Sequence, residues 1–209
     1  MNTPYAHPPS DQKGFSMIEV LVTVVILAVG LLGIAALQFM SKRSNFEAVQ
    51  RTAATMLAYD IIERMRTNST QLMEYAGDAS TPSPLLGGAT QSTPDPNCST
   101  ASCTPFKLSQ YDLWEWERSL DGASEIMTAS GNNTGGLVSP TACITTTVPA
   151  GITDRSGEYR IAIAWRGPTP LSDPTISTCG LGSGKYNSEG GGADIHRRVL
   201  VVNTFIFAQ

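Results

Sequence analysis

Residues 20–37 read VLVTVVILAVGLLGIAAL, with no charge and with Thr23 as the one polar residue. A run of that length predicts a membrane-spanning helix, for which about 20 apolar residues suffice. The pattern then changes. Phe46, Val49, Ala53, Leu57, Ile61 and Met65 recur every three or four residues, while Lys42, Arg43, Glu47, Arg51, Glu63 and Arg66 fall mostly elsewhere on the helical wheel. No proline interrupts residues 15–66. Together these patterns predict one long helix, apolar all round in its first half and amphipathic in its second. At helical rise it would be about 75–80 Å long. Such a helix exceeds any small domain, so its first half requires lipid or other subunits around it.

Downstream the pattern shortens. Residues 77–105 read as a turn-rich linker with Pro82, Pro84, Gly87, Gly88, Pro94 and Pro96. Ser109-Gln110-Tyr111-Asp112 resembles a capping box and predicts a short helix opening there. On it Leu113, Trp116 and Leu120 share one face, as core anchors against the long helix. Tyr159, Ile161, Ile163 and Trp165 alternate with Arg160, Ala162, Ala164 and Arg166, the period of a half-buried strand. Residues 143–148 and 198–207, rich in Val, Ile, Thr and Phe, predict two more strands. The segments around Pro168, Pro170 and Pro174 and the glycine-rich 182–192 stretch read as loops, the latter flexible. The predicted class is α+β: a long N-terminal helix whose amphipathic half packs on a C-terminal antiparallel sheet.

Composition adds limits. The 209 residues are 41% hydrophobic and 15% charged, which fits one compact domain with an extension. A formal net charge of -4 does not favour nucleic acid, because phosphate binding needs clustered Lys and Arg. Arg160, Arg166, Arg197 and Arg198 are the candidates for a basic stripe. Four cysteines, Cys98, Cys103, Cys143 and Cys179, all follow the apolar run; an even count beyond a membrane segment favours disulfides. Three pairings are open, and local closure favours Cys98 with Cys103 and Cys143 with Cys179.

The residues of catalysis are missing from the pattern. Two histidines, His7 and His196, do not make a His-rich metal site or a two-His zinc motif. Ser183-Gly184-Lys185 lacks the first glycine of a phosphate loop, and Tyr186 stands where Ser or Thr is required. Trp114 and Trp116 suit core packing better than a stacking platform. No metal, cofactor, small-molecule substrate or enzymatic activity is expected.

The N-terminus carries the most specific signal. Residues 1–13 are polar, with Asp11, Lys13 and three prolines, and Gly14-Phe15-Ser16-Met17-Ile18-Glu19 follows. A secretory signal peptide fits poorly: the apolar run is long, no A-x-A cut is evident and the basic region is one lysine. A plain membrane anchor leaves Glu19 unexplained, since a carboxylate costs roughly 3 kcal/mol at the centre of a spanning helix and less near the interface. Residues 14–22 resemble the type IV prepilin signature, G-F-[ST]-[LM]-[IL]-E followed by an unbroken apolar run.

That resemblance implies a division of the chain. Residues 1–14 would be a leader, 15–40 the transmembrane and assembly half of the helix, 41–67 its amphipathic half, and 68–209 a periplasmic or extracellular head. A prepilin peptidase would cut after Gly14 on the cytoplasmic side and methylate the new amine of Phe15. Glu19 would be the assembly acid, neutralising the amine of a neighbouring subunit. Physical reasons accompany each role. Glycine lets a protease approach the backbone closely. A carboxylate in the first turn interacts well with the helix dipole, and breaking a buried pair costs several kcal/mol.

The implied place is the inner membrane as a single pass, then the pilus fibre at the cell surface. The implied partners are the peptidase, other minor pilins and the major pilin. Residues 24–38, the two cysteine pairs, Asp112-Leu113 with Trp116, and Arg197-Arg198-Val199 are most similar to minor pilins that promote pilus assembly, adhesion and twitching motility. Alternatives are a minor pseudopilin of type II secretion and a DNA-uptake pilin. Many pilins carry a proline where this chain has Ala36. Gly30 and Gly33 are then the weak points, at about 1 kcal/mol each relative to alanine. Lys42 and Arg43 outnumber the one leader lysine, so the positive-inside rule does not favour a cytoplasmic leader.

Overall fold

The computed structural model describes residues 14–76, 85–123, 125, 133, 135–148, 155–188 and 191–208. The leader up to residue 13, and Pro82 and Pro84 of the linker, lie outside the described residues. The element order is α1 (Met17–Thr67), a 3-10 turn (Ser69–Gln71), α2 (Leu72–Tyr75), α3 (Pro105–Leu120), β1 (Thr141–Thr146), β2 (Gly157–Arg166) and β3 (Arg197–Ile206). The chain divides into two compact units between Ser44 and Asn45.

In the first unit every described residue is exposed. α1 forms there because leucine, alanine, valine and isoleucine dominate and no proline intervenes. It runs unbroken through Gly30 and Gly33, and a Cβ added at either glycine would meet no atom within 4 Å. Near the end of this unit the Arg43 guanidinium lies over the Phe39 ring, 4.7 Å from its centroid.

The second unit is an α+β body. β1, β2 and β3 form an antiparallel meander in that order, with Cys143 opposite Ala162, Ile163 opposite Leu200 and Trp165 opposite Arg198. One face of this sheet carries Ala142, Ile144, Tyr159, Ile161, Ile163, Trp165 and Ile206. These join Ala54, Ala58, Ile61, Ile62 and Met65 of α1 and Leu113, Trp116 and Leu120 of α3 in a single core. Trp116 is fully buried, and its indole N–H donates to the Leu57 carbonyl at 2.8 Å.

The buried stripe of α1 differs from the predicted one. Phe46 and Val49 are 43% and 64% exposed, while Gln50, Ala54 and Ala58 are buried. The helix is turned so that small side chains face the interior, where alanines admit close packing. Gln50 is affordable inside because it is satisfied twice, donating to Gly136 O at 3.1 Å and accepting from Val138 N at 3.0 Å.

α3 opens five residues earlier than the capping box at Ser109 predicts, with Thr104 as its N-cap. Pro105 takes the first helical position, and the Thr104 hydroxyl accepts the Lys107 N–H. Ser109 lies inside the helix and donates to Phe106 O. Ion pairs then hold α3 to α1: Arg64 contacts Asp112 at 3.2 Å and Glu115 at 2.6 Å, besides Asp60 on its own helix at 3.1 Å. Tyr75 of α2 donates its hydroxyl to the other oxygen of Asp112. Burial pushes Asp112 above its usual range, against the opposing pull of Tyr75 and Arg64.

β2 is buried on both faces over Ile161–Trp165, not on one. The cause is the segment 171–188, which covers the second face. Tyr186 is fully buried, its hydroxyl donating to Ser139 O at 3.0 Å and accepting from the Thr141 hydroxyl at 2.9 Å, and burial pushes its phenol up to about 12. Lys185, in the stretch expected to be a flexible loop, donates to Gly87 O, Pro140 O and the Thr141 hydroxyl at 2.8–3.2 Å.

Glu117 anchors another loop. Its carboxylate accepts from the backbone N–H of Gly87, Thr90 and Gln91 and from the Thr90 hydroxyl, at 2.5–2.8 Å. Burial alone would raise its pKa. The Thr90 hydroxyl and the three N–H groups outweigh burial and hold it below the usual 4.5. Its contribution to stability is therefore complete above the unfolded value and is lost as pH falls through the lowered folded value. Glu117→Gln is expected to cost about 1–3 kcal/mol at neutral pH, and to flatten the acid limb of stability measured by urea denaturation. An acid limb as steep as the parent's would remove Glu117 as its source.

Candidate processing and assembly site

Gly14, Phe15 and Ser16 precede α1, and the Ser16 carbonyl accepts the backbone N–H of Glu19 at 3.0 Å and of Val20 at 3.3 Å. The first helical turn is thus closed on Ser16, which places Glu19 as the acidic residue of that turn. A carboxylate there faces the partly positive N-terminal end of the helix. Phe15, Met17 and Ile18 are 85%, 84% and 69% exposed. A Cβ added at Gly14 would meet nothing within 4 Å. Packing among the described residues therefore does not demand glycine at this position.

Around Glu19 the surface is apolar. Leu21, Val25, Leu32 and Leu37 are each about 60–71% exposed. Thr23, the one polar side chain of the run, returns its hydroxyl to Val20 O at 2.8 Å and adds no free polar group. This half of α1 is long and apolar enough to cross a membrane. Its chemistry is that of an anchor or packing surface with one acid at its start.

The four candidate arginines of a basic stripe each bond within the body. Arg197 is 1% exposed and donates to Ser177 O, Cys179 O and Pro174 O and to the Asp173 carboxylate, at 2.6–2.8 Å. Arg198 pairs with Glu47 at 2.5 Å and donates to Thr169 O. Arg166 donates to Lys185 O and Asn187 O. Arg160, on the same strand face as Arg166, donates to Ile176 O and remains exposed. All four bond to loop carbonyls, Arg160 alone staying exposed, so these four do not leave a line of free cations for phosphates.

The remaining expectations find these places. Trp114 is half-buried at the surface of α3, beside Tyr111 and under the Arg118 guanidinium. His196 precedes β3 with Nδ1 3.1 Å from Gly167 O. Among the described residues no group of three or more His, Cys, Asp or Glu is placed to hold a metal.

The cysteines are paired as Cys98 with Cys103, Cα atoms 5.6 Å apart, and Cys143 with Cys179, 5.9 Å apart. Both separations suit disulfides. The first closes the turn before α3. The second ties segment 171–188 to β1.

A long, exposed apolar N-terminal helix continuing into an α+β body with a three-stranded antiparallel meander defines the pilin class of fold. Two family models match: the prokaryotic N-terminal methylation motif over residues 9–35, and Type IV pilin Tt1218 over residues 36–114. The chain is a type IV prepilin-like protein. No curated protein and no solved structure matches it.

A non-reducing peptide map of the full-length protein is expected to return Cys98–Cys103 and Cys143–Cys179 and no Cys98–Cys143 cross-peptide. Replacing Cys143 and Cys179 by serine should cost about 2–4 kcal/mol in denaturant unfolding.

Proposed function

We propose that this chain is a minor pilin of the type IV pilus. A prepilin peptidase removes residues 1–14 and methylates Phe15. Residues 15–40 hold the subunit in the inner membrane, with residues 68–209 as a periplasmic head, until it enters the fibre beside other minor pilins and the major pilin. Its role is structural, in promoting pilus assembly and so adhesion and twitching motility. The features from Val24 to Gln38, the two cysteine pairs and the strand opening at Arg197 resemble the minor pilin called type IV pilus modification protein PilV.

One observation carries this reading: a single acid in the first turn of a helix half that is apolar and uncovered on every side. A carboxylate so placed needs a cation that the apolar run does not contain. The new amine of a neighbouring subunit, produced by cleavage after Gly14, supplies it. The openness around Gly14 also supports an outside requirement for glycine, in the peptidase site.

Intact mass and N-terminal sequencing of membrane-purified protein should give a methylated Phe15 start. Gly14→Val should leave the head folded and the leader uncut. Glu19→Ala should be processed normally yet be depleted from sheared pili by about tenfold or more, the scale of losing a buried pair of several kcal/mol. A Met1 start in a strain with active peptidase would remove the proposal.

Gly30 and Gly33 have a place in this cycle. Neither glycine is packed against another part of the chain, so their helix-weakening effect of about 1 kcal/mol each is not offset locally. We infer that residues 30–33 loosen when the subunit leaves the bilayer for the fibre. Cryo-microscopy of pili containing this subunit should find broken helical hydrogen bonds there; an unbroken helix would refute it.

A further inference from the structure

The sheet face turned away from the core holds a cleft for which the proposed assembly role gives no use. Its floor is two adjacent cross-strand pairs, Cys143 with Ala162 and Thr145 with Arg160. One wall is the segment from Thr175 to Cys179, and Leu85 completes the lining. The cleft has a volume of about 560 Å³, within the usual range for small-ligand sites of about 300–1,000 Å³.

The wall is fixed by three independent ties. Cys179 is bonded to Cys143 in the floor. The buried Arg197 guanidinium donates to Pro174 O, Ser177 O and Cys179 O at 2.6–2.8 Å. The Ser177 hydroxyl accepts the Cys179 N–H at 3.1 Å. A wall held this way does not have to be ordered when a ligand arrives, which removes one cost of binding.

The lining has a definite chemistry. Arg160 is its only charged side chain, and it makes no ion pair among the described residues. It donates to Ile176 O in the wall, and among the described residues most of its five N–H donors have no other partner. Thr145, Thr175 and Thr178 bring hydroxyls, while Leu85 and Ile176 form an apolar rim, 58% and 56% exposed. Glu158, two positions before Arg160 on the same strand face, lines the adjoining groove.

A guanidinium with free donors recognises a planar or tetrahedral oxyanion. Hydroxyls beside it match hydroxyls on the ligand, and the apolar rim matches C–H surface. An extended peptide is a poorer fit, because Leu86 already occupies the outer edge of β1 by exchanging backbone hydrogen bonds with Ala142 at 2.7 and 3.0 Å. A peptide therefore cannot add a strand beside the floor at that point. We propose that this cleft binds an acidic sugar, with one acid group seated on Arg160 and sugar hydroxyls on Thr145, Thr175 and Thr178.

The test uses full-length protein in detergent micelles, titrated by calorimetry. The probes are trigalacturonate, a sulfated trisaccharide, maltotriose and triglutamate. Either acidic sugar is expected to bind at about millimolar Kd or tighter, with maltotriose and triglutamate much weaker. Arg160→Gln should weaken binding about tenfold or more, Thr178→Val should weaken it less, and Glu158→Gln should strengthen it by removing a nearby negative charge. Arg160, Thr178 and Glu158 are exposed, so these variants should melt like the parent, which checks folding. Failure of both acidic sugars to bind, equal binding by Arg160→Gln, or equal binding of triglutamate would each overturn the proposal.

Discussion

A helix that is apolar on every side and carries a carboxylate in its first turn has no stable resting place in water. Seventeen large apolar side chains between Phe15 and Met40 are at least half exposed. Covering such a side chain is worth about 1.5–3 kcal/mol, so the uncovered set represents a penalty on the order of tens of kcal/mol. That exceeds the net stability of a whole domain, about 5–15 kcal/mol. Cover is therefore obligatory. Lipid supplies it for the apolar positions but leaves Glu19 unmatched, whereas a packed neighbour with a free amine satisfies both. On the proposed reading this difference gives the subunit a direction, from bilayer to filament.

The body from Asn45 onward faces a different constraint. Much of it has little regular structure of its own, and loops carry backbone groups that need partners. The solution is a set of charged side chains used as clips. Glu117 collects N–H groups from the 87–91 turn, Asp121 takes those of Gly88 and Ala89, and Lys185 and Arg197 collect carbonyls from segments far apart in sequence. Each hydrogen bond to a charged group is worth about 1.5–3 kcal/mol net. Clips of this kind, with two disulfides, let a loop-rich chain hold one arrangement around a modest core.

What was legible in the sequence follows from the range of the forces. The long helix, the three strands and the Leu113, Trp116, Leu120 face are local periodicities, and all appear in the structure within a few residues of their expected bounds. The rotation of α1 toward Gln50 and Ala54 was not legible. It depends on Gly136 and Val138, some 86–88 residues away, satisfying the Gln50 amide. Pro105 as a helix start was hidden by the prolines of the linker before it, although Thr104 followed by proline is a recognisable opening. The second buried face of β2 could not be read at all, because alternating alanines and arginines look solvent-facing until a covering segment is known. At the proposed processing site the reverse holds. Gly14, Phe15 and Glu19 are legible as a contiguous motif in the sequence, while the fold adds mainly their exposure.

The same clipping explains why the arginines of the sheet point away from nucleic acid. Affinity for a phosphate backbone grows with the number of cations that each displace a counterion. Arg197, Arg198 and Arg166 spend their donors on carbonyls and carboxylates within the body, so this face offers few of them to a polyanion. Arg160 is left as a lone guanidinium among hydroxyls, and one cation cannot hold a strand of phosphates through salt. It can orient a single acid group when neighbouring hydroxyls supply the rest of the contact. The surface chemistry of this face thus suits a ligand bearing few charges and many hydroxyls, and on the proposed reading the internal use of its neighbours would give Arg160 that selectivity.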